Sequence, residues 1–245
     1  MTTPRHRSKF PVPVRDTWNE LPLGFKEDGK VAILDVAQQS RTLIFGPLEM
    51  ARLVLQRAAL SALECGHDVV VVDAEGGGAE YTVLANRATV PTNLDNAWAV
   101  LAETLETAQR RQTRIRKSKV REWSDTAGAR PVTVIIDGLD QLLSLEGKSL
   151  DSSWARVRVA ALLNMLASIG SSSGVYLVAS TCSLNAVVFE RMLHLSGTAR
   201  IQLLVGGLFP RGYAAISSSM RSEPSIFRID LAPSYDIGAV DWETD

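Results

Sequence analysis

The chain has 245 residues, 46% of them apolar and 22% charged, which is the profile of a soluble globular protein with enough residues for a real core. A formal net charge of −1 excludes a global pull toward nucleic acid or anionic membrane, so any such binding must come from a local patch. Two cysteines, Cys65 and Cys182, are too few for a disulfide framework. Set among apolar neighbours, they are expected to be reduced, buried thiols of a cytoplasmic protein.

Residues 1–20 carry three of the ten prolines and several charges, and so read as an extended arm. They lack the apolar segment of a secretory signal, and no run in the chain approaches the ~18 consecutive apolar residues of a membrane span. LPLGFKEDGKVAILD follows, two strand-like segments about Asp28-Gly29. Asp-Gly there predicts a hairpin with a type I′ turn.

RTLIFG (41–46) is a short strand, and Glu49 to Cys65 a helix with Leu53, Leu55, Ala58, Ala59 and Ala62 on its apolar side. Val69 to Val72 is a β-branched run suited to a strand buried on both faces. It closes on Asp73 and Gly76-Gly77-Gly78, read as a turn. Pro91-Thr92-Asn93 opens a helix expected to run to about Trp123.

VTVIID (132–137) is a second buried strand, followed by a helix over Ser153–Ser171 and a third strand in GVYLVAST (174–181). A helix is expected from Leu184 to His194 and a fourth buried strand in ARIQLLV (199–205). Short strands at Tyr213–Ile216 and Ser225–Ile229 precede an acidic tail, residues 233–245. The Trp and Leu residues of the helices are assigned to the core. Buried strands alternating with helices indicate an α/β fold with a mainly parallel sheet covered on both faces, in one domain over residues 21–232.

Ligands in such sheets bind at the carboxyl ends of strands. There TLIFGPLEMARL has the position of a phosphate loop, G-x-x-x-x-G-K-[ST], whose glycines, lysine and hydroxyl cradle phosphate and Mg²⁺. Gly46 fits the first glycine; Ala51, Arg52 and Leu53 replace the second glycine, the lysine and the hydroxyl residue, and Glu49 adds a negative charge. A second strand end, VTVIIDGLD, offers Asp137 as a Mg²⁺ ligand, with Gly138 where a water-activating Glu would stand. Asp140 reads as a surface turn residue beside it.

Taken in order, these pieces resemble the FtsK/HerA-type P-loop motor domains of DNA translocases, conjugative coupling proteins and the EccC ATPases of type VII secretion. LPLGFKEDGKVAILD is similar to that family's lead-in hairpin, HDVVVVDAEGGG to its second strand and VTVIIDGLDQLL to its Walker B strand. GVYLVAST and TARIQLLVGG are similar to its later strands, and RGYAAISS to its late turn. The resemblance spans about residues 21–230 and implies a three-layer RecA-like P-loop NTPase fold with an N-terminal β-hairpin. It places Thr181 at the family's γ-phosphate-sensing Gln and Arg200 on its arginine.

Gly46, Ala51, Arg52, Leu53, Asp137, Gly138, Thr181 and Arg200 are thus the expected vestigial nucleotide-binding residues, with no catalytic residue among them. Phosphoryl transfer rests on positioning and electrostatics, so the joint loss of lysine, hydroxyl and Glu predicts little hydrolysis. No cofactor is expected beyond weak Mg·ATP binding, and no metal unless Asp137 holds Mg²⁺ of a bound nucleotide.

The resemblance implies a pseudo-ATPase that regulates or scaffolds a DNA- or protein-translocating motor, with a related active motor or a second copy of itself as partner. An alternative is an ATP-binding motor subunit completed in trans. A third is a DNA-binding accessory factor using RRQTRIRKSKVR, where Arg110, Arg114, Lys117 and Arg121 share one helical face; a merely solvated face accounts for that run equally. His6, His67 and His194 lie too far apart in the sequence to suggest a metal site.

Overall fold

The computed structural model describes residues 18–74, 77–118, 123, 129–144, 149–182, 199–204, 213–217 and 224–229. Residues 1–17 of the N-terminal arm, the helix expected at 184–194 and the acidic tail lie outside these, whereas the arm's expected last residues fall within them, Glu20 opening the first strand.

Nine strands form one sheet: β1 (Glu20–Lys26), β2 (Val31–Asp35), β3 (Arg41–Phe45), β4 (Asp68–Asp73), β5 (Val132–Asp137), β6 (Val175–Thr181), β7 (Ala199–Leu204), β8 (Tyr213–Ser217) and β9 (Ser225–Ile229). Their order is β2-β1-β9-β8-β7-β3-β6-β5-β4. The block β7-β3-β6-β5-β4 is parallel, whereas β8, β9 and the β1–β2 hairpin extend it in antiparallel fashion. Every residue of β5 and β6 is buried, as continuous β-branched runs predict.

Helix α1 (Leu48–Glu64) covers one face, and α2 (Leu94–Ser118) and α4 (Leu150–Ile169) cover the other; α3 (Leu139–Leu143) is a short turn between β5 and α4. Two cores result. Leu55, Ala58, Tyr81, Ile135 and Phe227 lie in the first, and Leu101, Val134, Ile136, Leu163 and Leu177 in the second. The sheet sits between them, which makes the three layers. No helix among the described residues is long and apolar enough to cross a membrane.

Three expectations change. The hairpin forms at the predicted place, but hydrogen bonds from Gly29 N to Lys26 O and from Lys26 N to Lys30 O enclose a three-residue loop. Positive φ falls on Gly29 (79°), the arrangement of a three-residue hairpin with a glycine bulge rather than a two-residue type I′ turn. Helix α2 is described to Ser118, the expected continuation over residues 119–122 lies outside the described residues, and Trp123 packs edge-on against Trp18 at 5.0 Å. Cys182 is exposed, not buried, because β6 ends one residue earlier; Cys65 is half-buried, and both thiols are free. Finally, Leu150 and Trp154 of α4 are 74% and 61% exposed, although apolar helix residues were assigned to the core.

Below the amino ends of the parallel strands, His67 is completely buried. Its Nε2 donates to Trp18 O at 2.7 Å and its Nδ1 accepts from Thr133 Oγ1 at 2.8 Å, which sets the neutral tautomer. Burial pushes its pKa down to about 4. The unfolded chain therefore takes up a proton near pH 6.5 that the folded chain refuses until about pH 4. Stability is full above pH 6.5 and falls between those limits by roughly 3 kcal/mol. Urea unfolding at pH 7 and pH 4.5 will show this loss, and a His67→Gln variant will show a flatter profile over the same window.

Candidate functional site

The carboxyl ends of β3, β4, β5 and β6 meet at one edge of the parallel block, and the expected phosphate loop leaves β3 there. Its connection is only Gly46-Pro47, with α1 beginning at Leu48. A phosphate loop needs several non-helical residues whose N–H groups turn inward on the anion. Here the Ala51 N–H is bonded to Pro47 O at 2.9 Å, in the first turn of the helix. Pro47, at the N-cap, has no N–H to offer. Glu49 occupies the first turn of α1, where the partial positive charge of the helix end already has an acidic partner. The stretch is a tight strand-to-helix turn, with the ring-forming part of the loop taken up into the helix.

Arg52, one turn further along α1, reaches across to the end of β5. Its Nε donates to Asp137 Oδ2 at 2.7 Å, and its Nη1 lies 3.7 Å from Glu80 Oε1. The two positions that would supply a phosphate-binding cation and a Mg²⁺ carboxylate are joined directly. The Asp137 side chain is 1% exposed and that of Arg52 20%. Burial works against the guanidinium's charge, but hydrogen bonding to and the charge of Asp137, with Tyr81 and Glu80 behind them, hold its pKa above the ordinary value. The other carboxylate oxygen, Oδ1, accepts from Ser180 Oγ at 3.1 Å, and Ser180 Oγ in turn accepts from Gly138 N at 2.9 Å. Both oxygens of Asp137 thus have protein partners.

Gly138 has φ 77°, the left-handed region that a glutamate rarely adopts. Its departure from a water-activating Glu is therefore built into the backbone as well as the side chain. Thr181 is buried at the end of β6 and its carbonyl accepts from Gly46 N at 3.3 Å. Ala51 is buried, and Leu53 half-buried on the same helix. Arg200 lies in β7 beside Leu43 of β3.

Asp140 does not share a site with Asp137: its Oδ2 accepts from the Cys182 thiol at 2.8 Å, and that hydrogen bond, more than burial, raises the thiol's pKa. No group of three or more His, Cys, Asp or Glu among the described residues is placed to hold a metal ion.

Sequence reasoning missed three members of this cluster. Ser180 bridges Asp137 and Gly138. Glu80 and Tyr81 come from a 3-10 turn over Ala79–Leu84, fixed to α1 where Gln56 Nε2 donates to Glu80 O at 2.9 Å. Tyr81 is fully buried, with its Oη near Asp137 but outside hydrogen-bond geometry. Burial first, then the Asp137 charge, raises its pKa far above the phenol range. Gly77 and Gly78, both at positive φ, form a packed turn: Gly78 N donates to Asp73 Oδ2 at 3.1 Å, and a side chain on Gly78 would strike Val90.

The basic run lies elsewhere. Arg110, Arg114 and Lys117 are exposed on the second half of α2. Their neighbours Arg111 and Gln112 bond to Arg130 O, Ser173 O and Ser172 Oγ, just ahead of β5 and β6. That is the opposite end of the sheet from Asp137. Arg121 falls outside the described residues.

No protein-family profile and no curated protein matches the sequence. Solved structures do match in fold. The pCW3 conjugation coupling protein TcpA, in its monomer form with ATPγS, superposes with a TM-score of 0.76 at 16% identity, over 88% of this chain and 67% of TcpA. The fold is that of the FtsK/HerA-type P-loop ATPase domains. The cytoplasmic domain of the type VII secretion ATPase EccC of Thermomonospora curvata gives 0.65 at 18% identity over 90% of this chain and 29% of EccC. The cytoplasmic domain of EssC gives 0.61 at 14%, over 87% of this chain and 44% of EssC. This chain therefore spans less than half of either secretion ATPase chain. It carries the FtsK/HerA-type fold with an arginine–aspartate pair at the carboxyl end of β5.

Removing one member of a buried ion pair strands the other charge, a loss of roughly 3–5 kcal/mol. Arg52→Met is expected to fall in that range by urea denaturation. The double change Arg52→Met with Asp137→Leu is expected to recover most of it, because two apolar side chains leave no unpaired charge.

Proposed function

We propose that this chain is a non-catalytic FtsK/HerA-type domain, a pseudo-ATPase that works by binding and regulates or scaffolds a DNA- or protein-translocating motor in the cytoplasm. The observation that carries the reading is the Arg52–Asp137 pair at 2.7 Å. A guanidinium held in the protein's own ion pair is not a free cation for a β- or γ-phosphate, and its fork does not reproduce a compact ammonium. A carboxylate with both oxygens engaged is a poor Mg²⁺ ligand. The two-residue connection after β3 supports the same reading, since it leaves no loop to curl around phosphate.

The partner in this reading is a related, active motor subunit or a second copy of the chain. The likeness to a coupling protein and to secretion ATPases supports the choice of a translocation system.

Calorimetric titration of the purified chain with Mg·ATP and with a non-hydrolysable analogue tests the proposal. The expected result is no saturable heat and no phosphate release, unchanged by Asp137→Ala. Saturable binding would overturn it in favour of a motor subunit completed in trans, and phosphate release on adding a candidate partner would identify that partner.

The exposed basic half of α2 favours a second reading, contact with a polyanion such as DNA. Three phosphate contacts through Arg110, Arg114 and Lys117 would make log Kd vary with log salt at a slope of about 2.7. Mobility shifts with a random duplex over a salt series are expected to show such a slope. Replacing all three residues by Glu should abolish the shift. No salt-sensitive shift would leave that face merely solvated.

A further inference from the structure

Helix α4 carries apolar residues on two sides, yet the fold covers only one of them. Val159, Leu163 and Leu166 are buried in the second core. On the outer side Leu150, Trp154, Val157 and Met165 are 74%, 61%, 43% and 46% exposed, with Ala161 exposed between the last two. These positions recur at helical spacing and form one stripe roughly 22 Å long. A contiguous exposed apolar stripe that includes a tryptophan is a recognition surface more often than a solvated one.

The stripe borders a cavity of about 380 Å³ between α3 and α4, lined by Leu142, Leu143, Arg156, Val157, Ala160 and Ala161 among others. Arg156 is 95% buried by its 5% exposure. Its terminal nitrogens donate to Gln141 O and Ala74 O, but its Nε makes no hydrogen bond. The cavity walls are mostly apolar, with Asn164 and the Arg156 guanidinium as their polar groups.

One helix therefore carries both a projecting indole, at Trp154, and a recess, at Ala160 and Ala161, two turns or roughly 10 Å further on. Projection and recess on the same element, displaced along it, are self-complementary under a two-fold axis. We propose that two copies of this chain pair through antiparallel α4 helices, with Trp154 of each seated in the α3–α4 cavity of the other. An axis passing beside Val157 sets Trp154 opposite Ala161 and Leu150 opposite Met165, large against small and end against end. The indole face over Arg156 supplies a cation–π contact to a guanidinium that lacks one partner.

Arg158, next to the axis, would bring two like charges together if it pointed outward. Instead its guanidinium stacks on Trp98 at 4.1 Å and lies 3.9 Å from Asp95, drawn aside onto α2. The axis is left apolar. This surface lies on the α2/α4 face and is independent of the nucleotide reading, which stands or falls on the far end of β5.

Sedimentation velocity of the full chain from about 1 to 100 µM brackets the affinity that a small apolar interface gives. The expected result is a monomer–dimer equilibrium within that range. Trp154→Glu and Ala161→Arg are each expected to weaken it at least tenfold, with circular dichroism and the thermal midpoint unchanged. Should Trp154→Glu disturb folding, Ala161→Arg at an exposed alanine answers alone. A chain that stays monomeric throughout, or a dimer indifferent to Ala161→Arg, would overturn the proposal.

Discussion

Asp137 ends the buried strand β5 with a carboxylate almost wholly removed from water. Such a charge is tolerated only with partners for its oxygens, and the local structure is arranged to provide them. Arg52 must come from α1, so α1 must start close behind β3 and run past the end of β5. Ser180 must come from β6, which keeps β5 and β6 in register to their ends. Gly138 must turn left-handed so that its N–H can meet Ser180. The short Gly46-Pro47 connection, the early start of α1 and the glycine after Asp137 are consistent with one another because they serve the same buried charge.

That arrangement gives physical content to the comparison with translocation ATPases. Among P-loop domains the phosphate end of the sheet is held open for a nucleotide whose phosphates and metal supply the missing charges. Here the Arg52 guanidinium lies 2.7 Å from Asp137 at that end of the sheet. The sheet, the hairpin and the helix layers do not depend on that pair, because their stability comes from two apolar cores on either side of strands that are buried throughout. A fold of this kind can keep its architecture while the chemistry at one edge changes.

The opposite faces of the molecule are unequal. The α1 side is covered by that helix, whereas on the other side α4 is flanked by α2 and α3 and left bare along its outer stripe. Charge is segregated as well: acidic and paired at the carboxyl ends of the strands, basic and exposed on the second half of α2. The described surface thus carries one bare apolar stripe, on α4, and one basic helix half, on α2.

Much of the architecture was legible in one dimension. VVVV and VTVIID are β-branched runs and VYLVAS an apolar one, all suited to strands covered on both faces, and Asp-Gly between strand-like segments marks a hairpin. The absence of lysine, hydroxyl and Glu from the phosphate-loop positions is likewise a plain fact of composition. Tertiary structure decided what took their place. Nothing local says that Arg52 will meet Asp137 across 85 positions, that Glu80 and Tyr81 will close over the pair, or that the loop will be drawn into the helix. Nor can apolar neighbours along the chain tell a core tryptophan from Trp154, or a buried thiol from Cys182. Burial depends on which elements stack over a residue, and that is set by the crossing of distant strands and helices. Period and composition fix what each element is; the packing of elements fixes which charges meet and which faces stay bare.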